Sequence, residues 1–488
     1  MLAINKNRSA VITLIVVLLF VAANAIFVAY EHYWFSLLPV GLLIIGLYFV
    51  SLDKIFFLIV FLTPLSITLS DYESMIGLAI PTEPLMAGVL LVFIFKLLYD
   101  NPVTRSFLQH RVTIVVILGL VWMLITSVTS EIPLVSFKQF IARLWFVVPF
   151  YFLAVLIFRN ASNMRLFLWL FLIPMAGTIV YTTLMHATYG FDGDVAHWVM
   201  SPFYNDHTAY GAVIAMYVPI SVYFVFDKSY SRLQRIISSL FAIIVITGLV
   251  LSVSRAAWLS VVAALGIFFI IHFRIKFRWI FLGLAVALGL FFVFQRSIIQ
   301  KLEKNKQDSE VTDFAKHAQS ISNISTDASN LERLNRWAAA FRMFKERPLH
   351  GWGPGTYQFV YAPFQHSKDL TIISTNAGDK GNAHSEYFGP LCEQGVPGML
   401  FMVLLFIMVI ITAVKVIHAS VDKRFKHLII AVFLGLITYY FHGILNNFLD
   451  TDKASVPFWG FTAMIVAAEL YHIQEKSTKE KITKEAQD

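Results

Sequence analysis

The sequence predicts an all-α polytopic membrane protein, a bundle of about 12–14 transmembrane helices with one large, partly helical loop. The 488-residue chain is 58% hydrophobic and 14% charged, with a mean hydropathy of +0.71, which is more apolar surface than a soluble protein can bury. Runs of about 20 apolar residues, enough to cross a hydrocarbon core of about 30 Å, recur along the chain. A polar stretch of roughly ninety residues, 295–385, interrupts them.

The apolar runs define about fourteen predicted spans. In chain order these are 11–30, 35–52, 54–70, 80–98, 112–129, 142–158, 165–186, 208–226, 236–252, 256–272, 278–294, 396–416, 427–446 and 455–471. The corresponding organisation is N-terminal transmembrane helices at 1–294, the large loop at 295–385, C-terminal transmembrane helices at 386–472 and a basic tail at 473–488.

Lysine and arginine are concentrated in the loops on one side of the predicted bundle. These loops carry Lys6, Arg8, Lys54, Arg105, Arg111, Arg159, Arg165, Lys228, Arg232, Arg235, Arg274, Lys276, Arg278, Lys423, Arg424 and Lys426. Outside the long loop, the opposite side holds only Lys138, Arg143, Arg255 and Lys453. Because basic loops stay in the cytoplasm, both termini are expected there and the long loop on the other side. The net charge of +8 is thus explained by topology, and no nucleic-acid partner is expected.

Two features of the chain limit other interpretations. The N-terminal apolar run resembles a cleavable signal peptide near Ala23, but it resumes at Ile26, and we expect it to be retained as a span. Cys392 is the only cysteine, so neither a disulfide framework nor a cysteine-based metal site is expected.

Arg255 lies in a tight connection between two predicted spans, on the side where arginine is disfavoured. An interfacial anchor that snorkels to the surface is one interpretation. However, no carboxylate lies nearby in the sequence to pair with this arginine, and a guanidinium binds phosphate oxygens in a bidentate fork. Arg255 is therefore a candidate phosphate ligand.

Within the long loop, an amphipathic helix is predicted from Asn330 to about Lys345. Its predicted apolar face consists of Leu334, Trp337, Ala338, Phe341 and Phe344. Arg333 and Arg336 are three residues apart and can share one face, although a solvated helix surface would also explain them. Downstream, Gly351 and Gly353 allow a tight turn or a close approach of the backbone to a ligand.

His384 stands at the exit of the loop, just before the next predicted span. A short helix over 384–392 would place it at the membrane surface, where histidine is the side chain best suited to accept a proton near neutral pH. A lone histidine is usually structural, but the neighbouring glycines and arginines make this one a candidate general base. Support of the loop or the acceptor is expected from Asn382, Ser385, Glu386, Tyr387, Gly351 and Gly353.

A second polar cluster on the same predicted side contains Asp192, Asp194, His197, Asp206 and His207. Its carboxylates and imidazoles could hold a divalent cation. An Asp-Gly-Asp sequence is also typical of a simple turn, which is the preferred interpretation, so no metal is expected.

These residues resemble the O-antigen ligase and O-antigen polymerase superfamily of bacterial polysaccharide assembly. Three ordered blocks over roughly residues 240–420 carry the resemblance, whereas the first two hundred residues match only as generic spans. The blocks are Ser254-Arg255, then Arg333 and Trp337 leading into Arg347-Pro348 and Gly351-Trp352-Gly353, and finally His384-Ser385 ahead of Gly395 and Gly398.

The resemblance implies a GT-C-like fold and a glycan donor carried on undecaprenyl diphosphate at the periplasmic face of the bacterial inner membrane. The glycan passes with inversion to an acceptor hydroxyl on lipid A-core or a growing glycan, with His384 as base and no cofactor. Arg255 and Arg333 match the family's positions and would bind the diphosphate. Arg336, Arg143 and Lys138 are expected to extend this anion site.

The acceptor stays open at this point. A lipid A-core ligase is ranked first, followed by a polymerase and a protein O-oligosaccharyltransferase, because all three share the donor chemistry. A polysaccharide or lipid transporter is the alternative from a different class. It is disfavoured because transporters place ionisable residues at mid-membrane and show paired repeats.

Overall fold

Long apolar helices dominate the computed structural model of the protein. The structure describes residues 2–32, 35–36, 38–70, 77–100, 102–275, 278, 289, 328–367, 370, 374 and 381–473. Residues 1–58 and 59–488 form two compact units.

In the first unit the helices are Leu2–Ala29 and Leu38–Val50, and Leu52–Leu62 begins there. The helices of the second unit are Thr82–Tyr99, Arg105–Leu108, Arg111–Val128, Pro133–Val147 (continued by Val148–Leu153 and Ala154–Ile157), Ala161–Thr188, His207–Phe226, Arg232–Leu251, Arg255–His272, Ala328–Glu346, Tyr357–Val360, Phe388–Ala419, Lys423–Leu445 and Asp452–Ala467 (continued by Ala468–Ile473). Short 3-10 turns occupy Thr63–Leu65, Val195–His197 and Ala362–Phe364.

Among the described residues, ten helices are long and apolar enough to cross a membrane. This confirms an all-α polytopic membrane protein and the ten predicted spans that these helices contain. The predicted span 278–294 lies outside the described residues, apart from Arg278 and Gly289. The predicted span 35–52 corresponds to Leu38–Val50, whose 13 residues are fewer than a bilayer crossing needs.

The predicted span 54–70 is wrong in its second half. The helix ends at Leu62, and a two-stranded antiparallel hairpin follows, in which Ile67–Ser70 pairs with Gly77–Ile80. Pro64 carries no backbone N–H to extend the helix, and the β-branched residues after it suit a strand. Apolar composition alone did not distinguish this short hairpin from the end of a membrane helix.

Three helices form the most buried part of the second unit. Over their apolar windows, His207–Phe226 is 72% buried, Lys423–Leu445 78% and Asp452–Ile473 83%. Lys423–Leu445 packs against both of the others and against Arg255–His272. The ends of these packed helices provide the framework on which the candidate site is built.

The helix Ala328–Glu346, called here the loop helix, confirms the predicted helix in the long loop. The predicted apolar face is only half-buried: Leu334 is 44% exposed and Phe341 is 40% exposed, although the Phe341 ring packs against Phe388. The buried face carries Glu332, Asn335, Arg336, Ala339, Ala340 and Met343. Its first half is polar because hydrogen-bonded and ion-paired side chains can be buried in place of apolar ones.

The helix Phe388–Ala419, called here the broken helix, is interrupted at Gly395, where φ is 71°. The loop supplies partners for the interrupted backbone. Trp352 N donates to Cys392 O at 3.1 Å and Gly353 N to Glu393 O at 2.7 Å. On the other side of the break, Val396 N donates to Pro348 O at 2.9 Å.

One further donor comes from a transmembrane helix, since Trp122 Nε1 donates to Gln394 O at 2.9 Å. The break therefore leaves few of its backbone groups unpaired, and it joins the loop to two spans. The close approach that Gly351 and Gly353 permit is to the protein's own chain: a Cβ at Gly351 would clash with the backbone of Glu393, and one at Gly353 with the side chain of Ser130.

The break at Gly395 gives a stability prediction. Gly395→Ala should lower the free energy of unfolding by about 2–4 kcal/mol, because alanine is strained at this φ and its Cβ would clash with the carbonyl of Leu349. Thermal unfolding in detergent measures the change. The control is Gly177→Ala in the helix Ala161–Thr188, where a Cβ meets nothing within 4 Å and stability should hold or rise slightly. Equal stability of the two variants would contradict the role given to the break.

Candidate active site

His384 sits in a tight turn immediately before the broken helix. Its φ is 46°, an uncommon left-handed conformation, and its N–H donates to Asn382 Oδ1 at 3.0 Å. Ser385 Oγ accepts from Tyr387 N at 3.2 Å and from Phe388 N at 3.3 Å, so it caps the start of the helix. The helix expected over 384–392 therefore begins only at Phe388, and His384 lies outside it.

The loop helix contacts this turn through Arg336. Arg336 Nε donates to Glu332 Oε1 at 2.7 Å, and Arg336 Nη1 donates to Asn382 O at 3.2 Å. One turn earlier, Arg333 Nε donates to Leu445 O at 3.2 Å, at the end of the helix Lys423–Leu445. The two predicted arginines thus both lie near His384, but they contact different elements.

Burial and nearby charge act together on His384. Burial is the larger cause, and with the positive charges of Arg336 and Arg333 it lowers the pKa of His384 to about 4, against opposing effects of Asp206 and Glu332. The imidazole is consequently neutral at physiological pH, the protonation state that a general base needs before it accepts a proton.

Arg255 reaches the same region from another direction. It is the first residue of the helix Arg255–His272 and follows a turn that packs on Gly211, where a Cβ would lie 2.8 Å from Ser254 Cβ. Arg255 and Arg333 are both within electrostatic range of His207. His207 begins its own helix, which Asp206 caps through Thr208 N at 2.7 Å and Ala209 N at 2.8 Å.

Two helix N-termini and the arginines therefore meet in one region. A helix N-terminus carries a partial positive charge, so His207–Phe226 and Arg255–His272 add to the positive potential. Ser254 Oγ, at the cap of the second helix, is buried and has no hydrogen-bond partner within the described part of the chain. This environment suits an anion.

Sequence reasoning did not identify His442. It is buried in the last turn of Lys423–Leu445, where Asn446 Nδ2 lies 3.2 Å from its Nε2, and it is within electrostatic range of Arg333 and Asp206. Asp206 and His207 had been grouped with the possible metal cluster instead. A histidine inside an apolar run was the available signal, because ionisable residues within spans usually have a function.

Glu386, two residues after His384, is a buried hydrogen-bond acceptor that supports the site. Its Oε1 accepts from Tyr439 OH at 2.6 Å and from Phe448 N and Leu449 N, both at 2.9 Å. Burial and Asp450 raise the pKa of Glu386, while Arg143 acts in the opposite direction. Glu386 therefore holds the chain that follows Leu445, and Arg333 contacts the carbonyl of Leu445 itself.

Arg143 and Lys138 lie beside carboxylates of their own. Arg143 Nη2 is 2.9 Å from Asp450 Oδ1, and Arg143 Nη1 donates to Leu449 O at 3.3 Å. Lys138 is exposed and acts electrostatically on Glu83. Neither is among the charges that act most strongly on His384, and their contact with the diphosphate stays a prediction.

The cluster around Asp192 has the geometry of a turn. Asp192 Oδ1 accepts from Asp194 N at 2.8 Å and from Val195 N at 3.2 Å, and Asp194 is exposed. Across the described ranges, no group of three or more His, Cys, Asp or Glu side chains is arranged to hold a metal ion. These contacts favour the turn interpretation of Asp192 and Asp194 over the metal site.

The fold and this site define a multi-pass membrane protein with a cationic, histidine-containing site where helix ends meet an extramembrane loop. Residues 240–403 match the family model described as O-Antigen ligase. The match confirms the predicted resemblance to the O-antigen ligase and polymerase superfamily. A comparison with curated proteins gives no match.

Glu386 gives a second stability prediction. Glu386→Ala should lower the free energy of unfolding by about 3 kcal/mol or more, because it leaves the Tyr439 hydroxyl and the buried Leu449 amide without their acceptor and leaves Phe448 N with only its contact to the Tyr439 hydroxyl at 3.1 Å. Hydrogen exchange should show lost protection at Phe448 and Leu449. The control is Glu131→Ala, whose exposed ion pair with Arg347 should contribute about 1 kcal/mol or less. Unchanged protection at these amides would contradict the supporting role.

Proposed function

We propose that this protein transfers a glycan from undecaprenyl diphosphate to an acceptor hydroxyl at the periplasmic face of the bacterial inner membrane. The first-ranked acceptor is lipid A-core, which would make the reaction O-antigen ligation. The family match supports O-antigen ligase or polymerase activity in general. The donor, the acceptor and the residue roles are the proposal.

The observation that carries the proposal is a neutral histidine held among arginines. His384 has its pKa lowered to about 4 by burial and by Arg336 and Arg333, so it can accept a proton at neutral pH. Arg333 acts on His384 and, with Arg255, on His207. A base next to several cations is what transfer from a diphosphate requires.

Each group then has a role in the reaction. His384 removes the proton of the acceptor hydroxyl as its oxygen bonds to the anomeric carbon. The bond from that carbon to the diphosphate breaks, and Arg255, Arg333 and the two helix N-termini stabilise the charge that develops on the leaving group. Attack opposite the leaving group inverts the anomeric centre.

The acceptor is tested by reconstituting the full chain in proteoliposomes with a glycan linked to undecaprenyl diphosphate. Candidate acceptors are lipid A-core, a second lipid-linked glycan and a protein, and the products are separated by mass. A glycosylated lipid A-core supports ligation, a longer lipid-linked glycan supports polymerisation, and a glycoprotein supports protein glycosylation. Uptake of the donor without any transfer would support a transporter instead.

Loss of the base should abolish transfer without unfolding the protein. His384→Ala should reduce the transfer rate by about 100-fold or more, because general-base catalysis contributes about 10²–10⁴-fold. The matched control is His418→Ala, an exposed histidine whose Nδ1 lies 2.8 Å from Val414 O in its own helix, and this variant should transfer at the rate of the unmodified protein. Near-normal transfer by well-folded His384→Ala would rule out this role.

Removal of metal ions distinguishes two sources of positive charge for the leaving group, the arginines or a divalent cation at Asp192. Transfer should continue in EDTA at an unchanged rate, because guanidinium groups and helix N-termini supply the positive charge that a divalent cation would otherwise provide. Activity that falls in EDTA and returns with Mg²⁺ or Mn²⁺ would instead favour a metal at Asp192 and Asp194. The control for the second outcome is Asp192→Asn. Unchanged transfer by this variant would speak against a metal at Asp192.

A further inference from the structure

Arg336 is the most buried of the three arginines of the loop helix, and its guanidinium is already engaged by the protein. The side chain is 8% exposed and forms an ion pair with Glu332, whose side chain is 5% exposed. Its Nη1 donates to Asn382 O at 3.2 Å, and its Cζ lies 5.6 Å from the centre of the Tyr361 ring. A Cβ at Gly381 would clash with the guanidinium, so the chain before His384 passes directly over Arg336.

The contacts of Glu332 and Asn382 extend this arrangement in both directions. Glu332 also accepts from the hydroxyl of Ser374, so the carboxylate joins the loop helix to a distant part of the loop. Asn382 accepts twice: its carbonyl from Arg336, and its side chain from the backbone N–H of His384 at 3.0 Å. Glu332, Arg336, Asn382 and His384 thereby form a continuous chain of hydrogen bonds.

We propose that Arg336 is a positioning residue for His384, acting through Glu332 and Asn382, and is not a ligand of the donor's diphosphate. A left-handed conformation at a non-glycine residue costs about 1–3 kcal/mol, so His384 keeps its φ of 46° only where its surroundings fix it. The Arg336–Asn382 contact provides that restraint. The consequence for glycan transfer rests on the proposed function, whereas the restraint on His384 does not.

The charged groups that act on His384 allow the positioning role of Arg336 to be tested through the pKa of His384. They are Arg333, Arg336 and Glu332 from the loop helix and Asp206 from the cap of His207–Phe226. Arg336 is the largest of the charge effects and holds the pKa of His384 down, so its removal should raise that pKa. A guanidinium that served only as a ligand for an external anion would not need to hold the His384 turn.

The test is the pH dependence of carbethoxylation of His384 by diethyl pyrocarbonate, followed by peptide mass spectrometry on the full chain. The reagent attacks neutral imidazole, so the midpoint of the rate reports protonation of His384 without any need for substrate. Arg336→Met should raise the midpoint by about 1 pH unit, as expected for the loss of a nearby like charge. Hydrogen exchange at residues 381–387 should increase in the same variant.

Two further variants separate position from charge. Arg336→Lys keeps a charge but loses the planar fork, and Asn382→Ala keeps Arg336 but removes the acceptor of the His384 N–H. Both should speed exchange at 381–387 and lower kcat for transfer about tenfold, with the carbethoxylation midpoint and the KM for the donor unchanged. Asn382→Ala also keeps the test decisive where an Arg336 variant fails to fold.

The matched control is Arg342→Met on the same helix, because Arg342 Nη1 donates to the carbonyl of Phe364 at 2.7 Å, outside the His384 turn. It should leave the midpoint and the exchange at 381–387 unchanged. The proposal is overturned if Arg336→Met leaves both unchanged, or if its main effect is weaker binding of undecaprenyl diphosphate in detergent. Faster exchange at 381–387 in the Arg336 and Asn382 variants, together with no glycan transfer by the unmodified protein, supports the positioning role and rejects the proposed function.

Discussion

The interruption of the broken helix at Gly395 is the constraint on which the rest of the site depends. An interrupted helix leaves backbone carbonyls without their helical partners, and in an apolar environment unpaired carbonyls are costly. The loop pairs them with the amides of Trp352 and Gly353, and the indole of Trp122 pairs a third. Because these donors must occupy fixed positions, the loop is held against the bundle.

The position of the loop helix follows from the same constraint. Ala340 and Met343 pack with Trp352 and Cys392 in one buried cluster, so the helix is fixed beside the break. Its polar half then lies over the chain that leads to His384, where the Glu332–Arg336 ion pair is buried. Burying one charge without the other would be strongly destabilising, so the two residues stabilise the fold only as a pair.

The sequence carried most of the information about the spans and part of the information about the site. Apolar runs identify membrane helices because each spanning helix needs its own stretch of apolar residues and pairs its own backbone groups. The signal is therefore local in the sequence. Arg255, Arg333 and His384 were recognisable as residue types that are unusual where they occur. The interpretation of Arg336 as an anion ligand could not be tested from sequence, because its partner Asn382 lies far along the chain and meets it only through the fold.

The errors have a common physical origin. The burial of Glu332 and Arg336 in the loop helix was not predicted, because periodicity analysis takes buried positions to be apolar, whereas these two residues are buried as a pair. His442 was missed because a single histidine in an apolar run gives no indication of what faces it. The hairpin after Leu62 was missed because strands and helices of similar composition differ mainly in length and in their turns.

The low pKa of His384 has a consequence for the timing of the proposed reaction. A group with a pKa of about 4 holds a proton only briefly at neutral pH, so the base would regenerate by itself between turnovers. The same property makes it a weak base, which draws little electron density onto the attacking oxygen. In the proposed reaction we therefore expect cleavage of the sugar–diphosphate bond to run ahead of proton removal, so that the rate follows the leaving group more closely than the acidity of the acceptor.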